Sequence, residues 1–394
     1  MEQSWQRVPG GTAASTNALL SELALRPELR VWGVAAAHRS PAPAPWQPPV
    51  PVHHLPLPRV ALYRSWPTLR WPPVHAGRGR RPDVVHATSP AVPPASAPLV
   101  ATVHDLAFLD RPELYTPRGV RFLTRGTDLA RAEAAAIVVP SRVVAAECLA
   151  AGFDADRLHV VPHGVSVPEV PATAVSALRR RLDLPGPYVM WCGTHEPRKN
   201  LVTLLAAFEL LVGDGRDLHL LLVGPDGWGS QPAPRPQVAS RVRTAGFLPQ
   251  GQLHAAYAGA SVLAYPSLAE GFGLPVLEAM AHGVPVVTSS GSAMAEFAHG
   301  AGVLVDPRDP AAVAGGVVTA LDRAEALGSV GRRRAAGMTW AAAAARLAAV
   351  YASVAGSDGG TGSGTGSGTG SGSGGGTGGG SGGSTVGGPA SRGG

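Results

Sequence analysis

Glu270-Gly271-Phe272-Gly273-Leu274-Pro275-Val276-Leu277-Glu278 sets two carboxylates eight positions apart around a glycine-rich turn. The two point the same way only if a helix begins between them, near Pro275. Proline in a first helical turn after a Gly-rich approach is the expected entry to a helix whose free N–H groups bind an anion. Phe272, Gly273 and Leu274 then offer backbone donors to a diphosphate. Glu270, ahead of the helix, reaches one end of a ligand, and Glu278, two turns in, reaches the other.

The matching positive charge stands in the run Gly193-Thr194-His195-Glu196-Pro197-Arg198-Lys199-Asn200. The chain has 33 Lys and Arg residues, and Lys199 is its only lysine. Lysine is a compact point charge with three rotatable donors, unlike the planar fork of arginine. A lone lysine following a strand therefore reads as a site. The run imitates a Walker A loop, but that loop needs glycine where Arg198 stands and Ser or Thr where Asn200 stands. Asp154-Ala155-Asp156 imitates a metal-binding pair, yet it lies between a helix and a strand, where turn and capping chemistry accounts for the aspartates. His104 ends an apolar run in the first half of the chain, and histidine near neutral pKa can donate a hydrogen bond or share a proton.

Short Val/Leu-rich runs alternating with Ala/Leu/Arg-rich helical stretches must position these groups. The runs are 30–37, 83–88, 99–105, 135–141 and 158–164 in the first half. In the second half they are 187–193, 218–224, 242–248, 260–267, 285–290 and 302–307. Continuous apolar runs suit parallel strands buried on both faces, and their alternation with helices implies two doubly wound α/β domains. Ligands of open α/β sheets bind at the carboxyl ends of such strands.

The expected boundaries are an N-terminal domain over 1–165, a C-terminal domain over 166–340, a helix over 341–355 crossing back to the N-terminal domain, and a tail over 356–394. That tail holds 21 of the 51 glycines and reads as a flexible coil. Residues 41–82, rich in Pro and Trp, read as an irregular insertion facing cleft or solvent. Pro9-Gly10-Gly11-Thr12 resembles the first glycine turn of a Rossmann-like domain, but residues 1–8 supply no apolar strand before it. Either the start of the domain is truncated, which is the expectation favoured, or the first domain lacks a central strand.

Two cysteines, Cys148 and Cys192, form no disulfide framework. No run of about 18 apolar residues and no charged-then-apolar leader is present, so the chain reads as a cytoplasmic protein. A net charge of +6 permits contact with anionic substrates or an anionic membrane surface, including the inner face of a membrane, with Arg111, Arg118, Arg121 and Arg125 as one candidate face. Nucleic acid is not indicated, because the arginines are scattered and no recognised module accompanies them.

Taken together these motifs resemble the retaining glycosyltransferases of family 4, from about Gly10 to Tyr351. The paired glutamates carry the resemblance, supported by Gly193 to Asn200, Thr102-Val103-His104-Asp105 and Pro162-His163-Gly164-Val165. It implies the GT-B fold: two Rossmann-like domains facing a cleft. It also implies transfer of a hexose, such as mannose or glucose, from a nucleoside-diphosphate sugar to the hydroxyl of a glycan or lipid-linked acceptor, with no metal and no cofactor. Carried over, Glu270 holds sugar hydroxyls and Glu278 the ribose, Lys199 and Arg198 neutralise the diphosphate, and His104 faces the donor sugar. The first domain closes over the sugar through Gly10, Gly11 and His104. Many relatives have arginine where this chain has Thr194, and asparagine where it has His163. Glu296 matches a family glutamate normally preceded by proline, and here it reads as structural. The alternatives are a catalytically weak nucleotide-sugar-binding protein and a GT-B nucleotide-sugar epimerase.

Overall fold

In the computed structural model of the chain, residues 1–6, 10–77, 81–229 and 232–356 are described. The Gly/Ser/Thr-rich tail after Gly356 lies outside them, as does Pro9. Residues 1–357 form one unit made of two lobes.

The C-lobe is built on six parallel strands: β7 (Tyr188–Cys192), β8 (His219–Val223), β9 (Val242–Gly246), β10 (Val262–Tyr265), β11 (Val286–Ser289) and β12 (Val303–Val305), in the order β12-β11-β10-β7-β8-β9. These strands are nearly all apolar because helices cover both faces. Tyr188, Trp191, Phe208, Tyr257 and Tyr265 are fully enclosed, each worth roughly 1.5–3 kcal/mol of burial. Strand order reverses between β7 and β10, which hydrogen-bond side by side. The carboxyl ends of that pair form the crevice where doubly wound sheets take ligands. Residues 193–200 leave β7 there, and residues 266–270 leave β10.

The N-lobe holds β1 (Gly33–Ala35) paired with β2 (Val52–His54), and a separate sheet in the order β3 (Val85–Ala87), β4 (Leu99–Thr102), β5 (Ala136–Val139), β6 (Leu158–Val160). All pairings are parallel. The sheet is thus divided in two. On the β1 side, ladder groups are met by the first residues of the chain. The Met1 ammonium donates to Val34 O (2.8 Å), and Glu2 Oε2 accepts from Ala36 N (3.0 Å).

Each of the eleven apolar runs contains a strand. Residues 41–82, expected to be irregular, instead contain β2 and the helix Arg59–Thr68. The prolines hid this unit because β2 is only three residues long and Pro67 lies inside the helix. A small separate core of Ala36, Leu55, Leu62 and Trp66 holds it.

Ala324–Ala355 is apolar and long enough to cross a membrane by composition. It is nevertheless interrupted at residues 337–339, between the helices Ala324–Ala336 and Trp340–Ala355. The second of these buries Ala344, Leu347 and Val350 against Leu23, Val100, Ala136 and Val138 of the N-lobe.

Candidate active site

Asn200 sets the loop after β7. It adopts a left-handed conformation (φ 57°, ψ 42°), which asparagine tolerates better than most residues. Its buried Nδ2 donates to Pro266 O (3.0 Å) and Pro307 O (2.6 Å), and its Oδ1 accepts from Thr203 Oγ1 (2.8 Å). One side chain therefore ties the loops after β7, β10 and β12 to the helix Leu201–Gly213. This places Arg198 and Lys199 beside the loop that carries Glu270.

Four groups converge on Glu270 Oε1. Lys199 Nζ pairs with it, Arg198 Nη1 stands at 3.1 Å, the Tyr265 hydroxyl donates at 3.1 Å and the Ser267 hydroxyl lies at 2.9 Å. Tyr265 also accepts from Lys199 Nζ (2.6 Å), and Arg198 Nη2 pairs with Glu196 Oε1 (2.7 Å). The Glu270 side chain is 8% exposed and that of Lys199 11%. Burial alone would raise the Glu270 carboxyl, but Lys199 and Arg198 outweigh it and hold the group at about 2. Burial and then the charge of Arg198 lower the Lys199 ammonium, while Glu270 acts to keep its proton. The site is a buried, hydrogen-bonded cluster of two cations and two carboxylates, arranged to be disturbed by any ligand that competes for the cations.

Gly273 (φ 90°) precedes the helix Leu274–Ala281. Among the described residues the amides of Phe272, Gly273 and Leu274 have no acceptor, so the turn presents free donors at a helix N-terminus. The Phe272 ring is buried between His163 (5.0 Å between centroids) and Phe297 (5.2 Å). Glu278, about one turn along this helix, is half-buried, and burial pushes its carboxyl up to about 7 against the opposing effect of Tyr257. Cys192 stands near the same carboxylate, and its thiol is pushed up to about 12 by burial.

The N-lobe meets this site from the opposite side. A Cβ on Gly271 would collide with the His104 carbonyl, and one on Gly11 would touch Leu274 Cδ1 at 3.8 Å. Gly10 opens the helix Gly10–Ala24 with φ 66°. His104 Nε2 lies 3.0 Å from Thr88 O; a carbonyl only accepts, so Nε2 carries the hydrogen. Burial lowers the His104 pKa, keeping the ring neutral at pH 7. His163 is also held neutral, at about 3, by burial and then by His104. Arg111 Nη1 donates across the cleft to Leu268 O (2.5 Å), and Trp228 Nε1 to Leu114 O (3.1 Å). Thr194 is half-buried, with its methyl against Gly227. Asp154 caps a short turn through Asp156 N (3.1 Å).

The structure thus brings together Lys199, Arg198 and Glu270, with the Phe272–Leu274 turn, Gly11 and His104 around them. Tyr265, Ser267, Glu196 and Asn200 were not singled out from sequence. For Asn200 a signal was present, an asparagine between a basic pair and a helix. Tyr265 and Ser267 sit in an apolar strand and its exit, where nothing marks them.

The fold and the site define a two-lobed α/β protein of the GT-B class. The chain matches Glycosyltransferase Family 4 over residues 9–168 and Glycosyl transferases group 1 over residues 186–323. Between them these matches span most of both lobes, and the chain belongs to the family 4 type of GT-B glycosyltransferases. It is 33% identical over 232 residues to the O-antigen chain mannosyltransferase B of Escherichia coli, covering 56% of this chain and 61% of that one. It is 34% identical over 215 residues to a D-inositol 3-phosphate glycosyltransferase of Thermobispora bispora, covering 50% of each. These alignments span only about half to three-fifths of the curated relatives' length. Among solved structures, sucrose-phosphate synthase from Thermosynechococcus elongatus superposes with a TM-score of 0.69 at 23% identity, over 88% of this chain and 94% of that one. HepE of Anabaena, in complex with UDP and glucose, gives 0.69 at 20% identity, over 88% and 97%. At these identities the likeness is one of fold.

Proposed function

We propose that the chain is a retaining, metal-independent hexosyltransferase that moves a sugar from a nucleoside-diphosphate sugar to an acceptor hydroxyl. The observation that carries this reading is the convergence of Lys199 and Arg198 on Glu270 at the β7/β10 switch point, beside the free amides of the Phe272–Leu274 turn. A diphosphate entering there is met by two buried cations and three backbone donors. It competes with Glu270 for the cations and releases that carboxylate to accept bonds from sugar hydroxyls. Glu278 takes the ribose hydroxyls.

Departure of the diphosphate concentrates negative charge on its oxygens, and donors fixed at that place stabilise it. His104, closing from the N-lobe, orients the sugar. Retention follows when the acceptor attacks from the face the diphosphate leaves, with a leaving phosphate oxygen taking the acceptor proton. No metal is required in this scheme because Lys199, Arg198 and the turn supply the positive field. The named activity of the mannosyltransferase relative, and the UDP and glucose held by HepE, favour a hexose donor.

The test is a panel of GDP- and UDP-hexoses with a chelator present, measuring donor binding by calorimetry and sugar release or transfer by mass. Turnover with retained anomeric configuration supports the reading. Tight binding without turnover points to a nucleotide-sugar binder, and altered sugar released without acceptor points to an epimerase.

Peripheral contact with an anionic membrane, as part of access to a lipid-linked acceptor, has support in one face of the N-lobe. The helices Arg59–Thr68 and Pro117–Glu133 lie side by side, joined by stacked Tyr63 and Phe122 rings (5.7 Å). Val60, Leu69, Trp71 and Phe122 are exposed there. Among the described residues no acid pairs with Arg59, Arg64, Arg118, Arg121 or Arg125. Arginines mixed with large exposed apolar side chains suit an anionic bilayer better than a soluble polyanion. Arg111, one of the arginines expected on this face, is instead committed to Leu268 O in the cleft. Sedimentation with phosphatidylcholine vesicles, with and without phosphatidylglycerol, tests the assignment. Binding to anionic vesicles alone, lost in Leu69→Ser/Trp71→Ser, is the supporting result.

A further inference from the structure

Glu296 belongs to the C-lobe, in the segment after β11, yet both of its carboxylate oxygens bond the N-lobe. Oε1 accepts from Val143 N (2.8 Å) and Oε2 from Arg142 N (3.2 Å). These are the first two amides of the helix Arg142–Ala150, and Ser141 Oγ takes the next one, from Val144 (3.2 Å). The first amides of a helix have no partner within it, and the helix dipole favours negative charge beside them. Here the charge comes from the opposite lobe, so the two bonds exist only while the lobes are in contact. Glu296 is exposed, so water can replace both amides when the lobes part.

The same short segment packs on the anion-binding turn. Met294 fills the space that a Cβ on Gly273 would need, and Thr288 Oγ1 holds the Met294 sulfur at 3.2 Å. Phe297 stacks obliquely on Phe272 at 5.2 Å. Residues 294–297 therefore touch the Phe272–Gly273 turn with their inner side chains and the N-lobe with Glu296. On its other side the turn meets the N-lobe directly, through Gly271 and the His104 carbonyl.

We propose that Glu296 is a latch that couples closure of the two lobes to the shape of the Phe272–Leu274 turn. It is a positioning residue: engaged on Arg142 and Val143 it holds Met294 and Phe297 against the turn, and released it lets the turn relax. A helix cap with no such coupling would protect only the two amides it covers.

The two readings separate by amide hydrogen exchange on the ligand-free protein, an experiment that stands whether or not the chain transfers sugar. Glu296→Ala removes the acceptor. Arg142→Pro removes one of the donors from the other lobe at the first helical position, where proline is well tolerated. Ser141 before it is already extended (φ −152°, ψ 163°), as a residue preceding proline must be.

Val276 and Leu277 donate to Gly273 O, so their amides report on the turn: Glu296→Ala is expected to speed their exchange by roughly tenfold and Arg142→Pro, which leaves the Val143 bond, by less, with little change in melting temperature. The double variant should exchange no faster than Glu296→Ala alone, because without the carboxylate the Arg142 amide has no contact left to lose. Unchanged exchange at Val276 and Leu277 in Glu296→Ala overturns the coupling even if the amide of Val143 opens. Additive effects overturn it as well, since they would mean that the two residues act separately. A large fall in melting temperature for Glu296→Ala would show a purely structural part and overturn the latch.

Discussion

Lys199 and Glu270 pair through Nζ and Oε1 although they leave two different strands, β7 and β10. The pair exists because those strands are neighbours at the point where the sheet order reverses. Removing Glu270 leaves two buried cations short of a carboxylate, whereas removing Lys199 leaves Glu270 with Arg198 at 3.1 Å.

Lys199→Ala should lower turnover by about 100-fold or more while donor binding weakens less, because the lost donor acts mainly on the departing diphosphate. Lys199→Arg should fail to restore it fully, since a planar fork does not place a point charge at Tyr265 and Glu270. Steady-state kinetics on folded variants check this. An alanine variant at near wild-type turnover would remove Lys199 from the mechanism.

Glu278 carries a pH signature. Its folded carboxyl sits at about 7, above the ordinary 4.5, so the folded state binds this proton more tightly than the unfolded state. Stability therefore declines as pH rises from about 4.5 to 7 and levels off above. Glu278→Gln should remove that slope in urea titrations and leave the protein more stable than wild type in mildly alkaline buffer. It should also weaken nucleoside-diphosphate binding and flatten its pH dependence.

Glu270 gives the opposite sign. Held at about 2, below its ordinary value of 4.5, it stabilises the fold above about pH 4.5, and this is lost as pH falls toward 2. Glu270→Gln should flatten the acid limb of the stability curve. An unchanged acid limb would show that the ion pair contributes nothing to folding.

Gly271→Ala tests the approach of the lobes. The added methyl meets the His104 carbonyl, which belongs to backbone and cannot swing aside. The variant should fold, since the clash lies between lobes, yet turnover should fall by about 100-fold through misplacement of the turn. Small-angle scattering should show a more open particle, and a closed, active variant would refute the contact.

His104→Ala should lower turnover by about 100-fold with donor affinity nearly unchanged, because the role proposed for the ring is to orient the sugar. Because its pKa is lowered from the ordinary 6.5, activity should show no histidine titration between about pH 7 and 8. An inflection in that range lost in the variant would mean that the ring exchanges a proton.

Much of this was legible in the chain itself. Eleven apolar runs each contain a strand, because strands buried on both faces leave continuous Val/Leu signals. The turn with its left-handed Gly273 follows from glycine and proline at fixed positions beside two glutamates. The three-residue β2, bracketed by prolines, was not legible, because its pairing with β1 and its small core are contacts at a distance.

Nor was the clustering of charge. Sequence alone determined that a lysine, an arginine and two glutamates flank two strand ends. Only the tertiary structure decided that one oxygen of Glu270 gathers Lys199, Arg198, Tyr265 and Ser267, and that Glu296 reaches the other lobe. Strand order and lobe contact join residues far apart in the chain, and no local pattern of side chains encodes that adjacency.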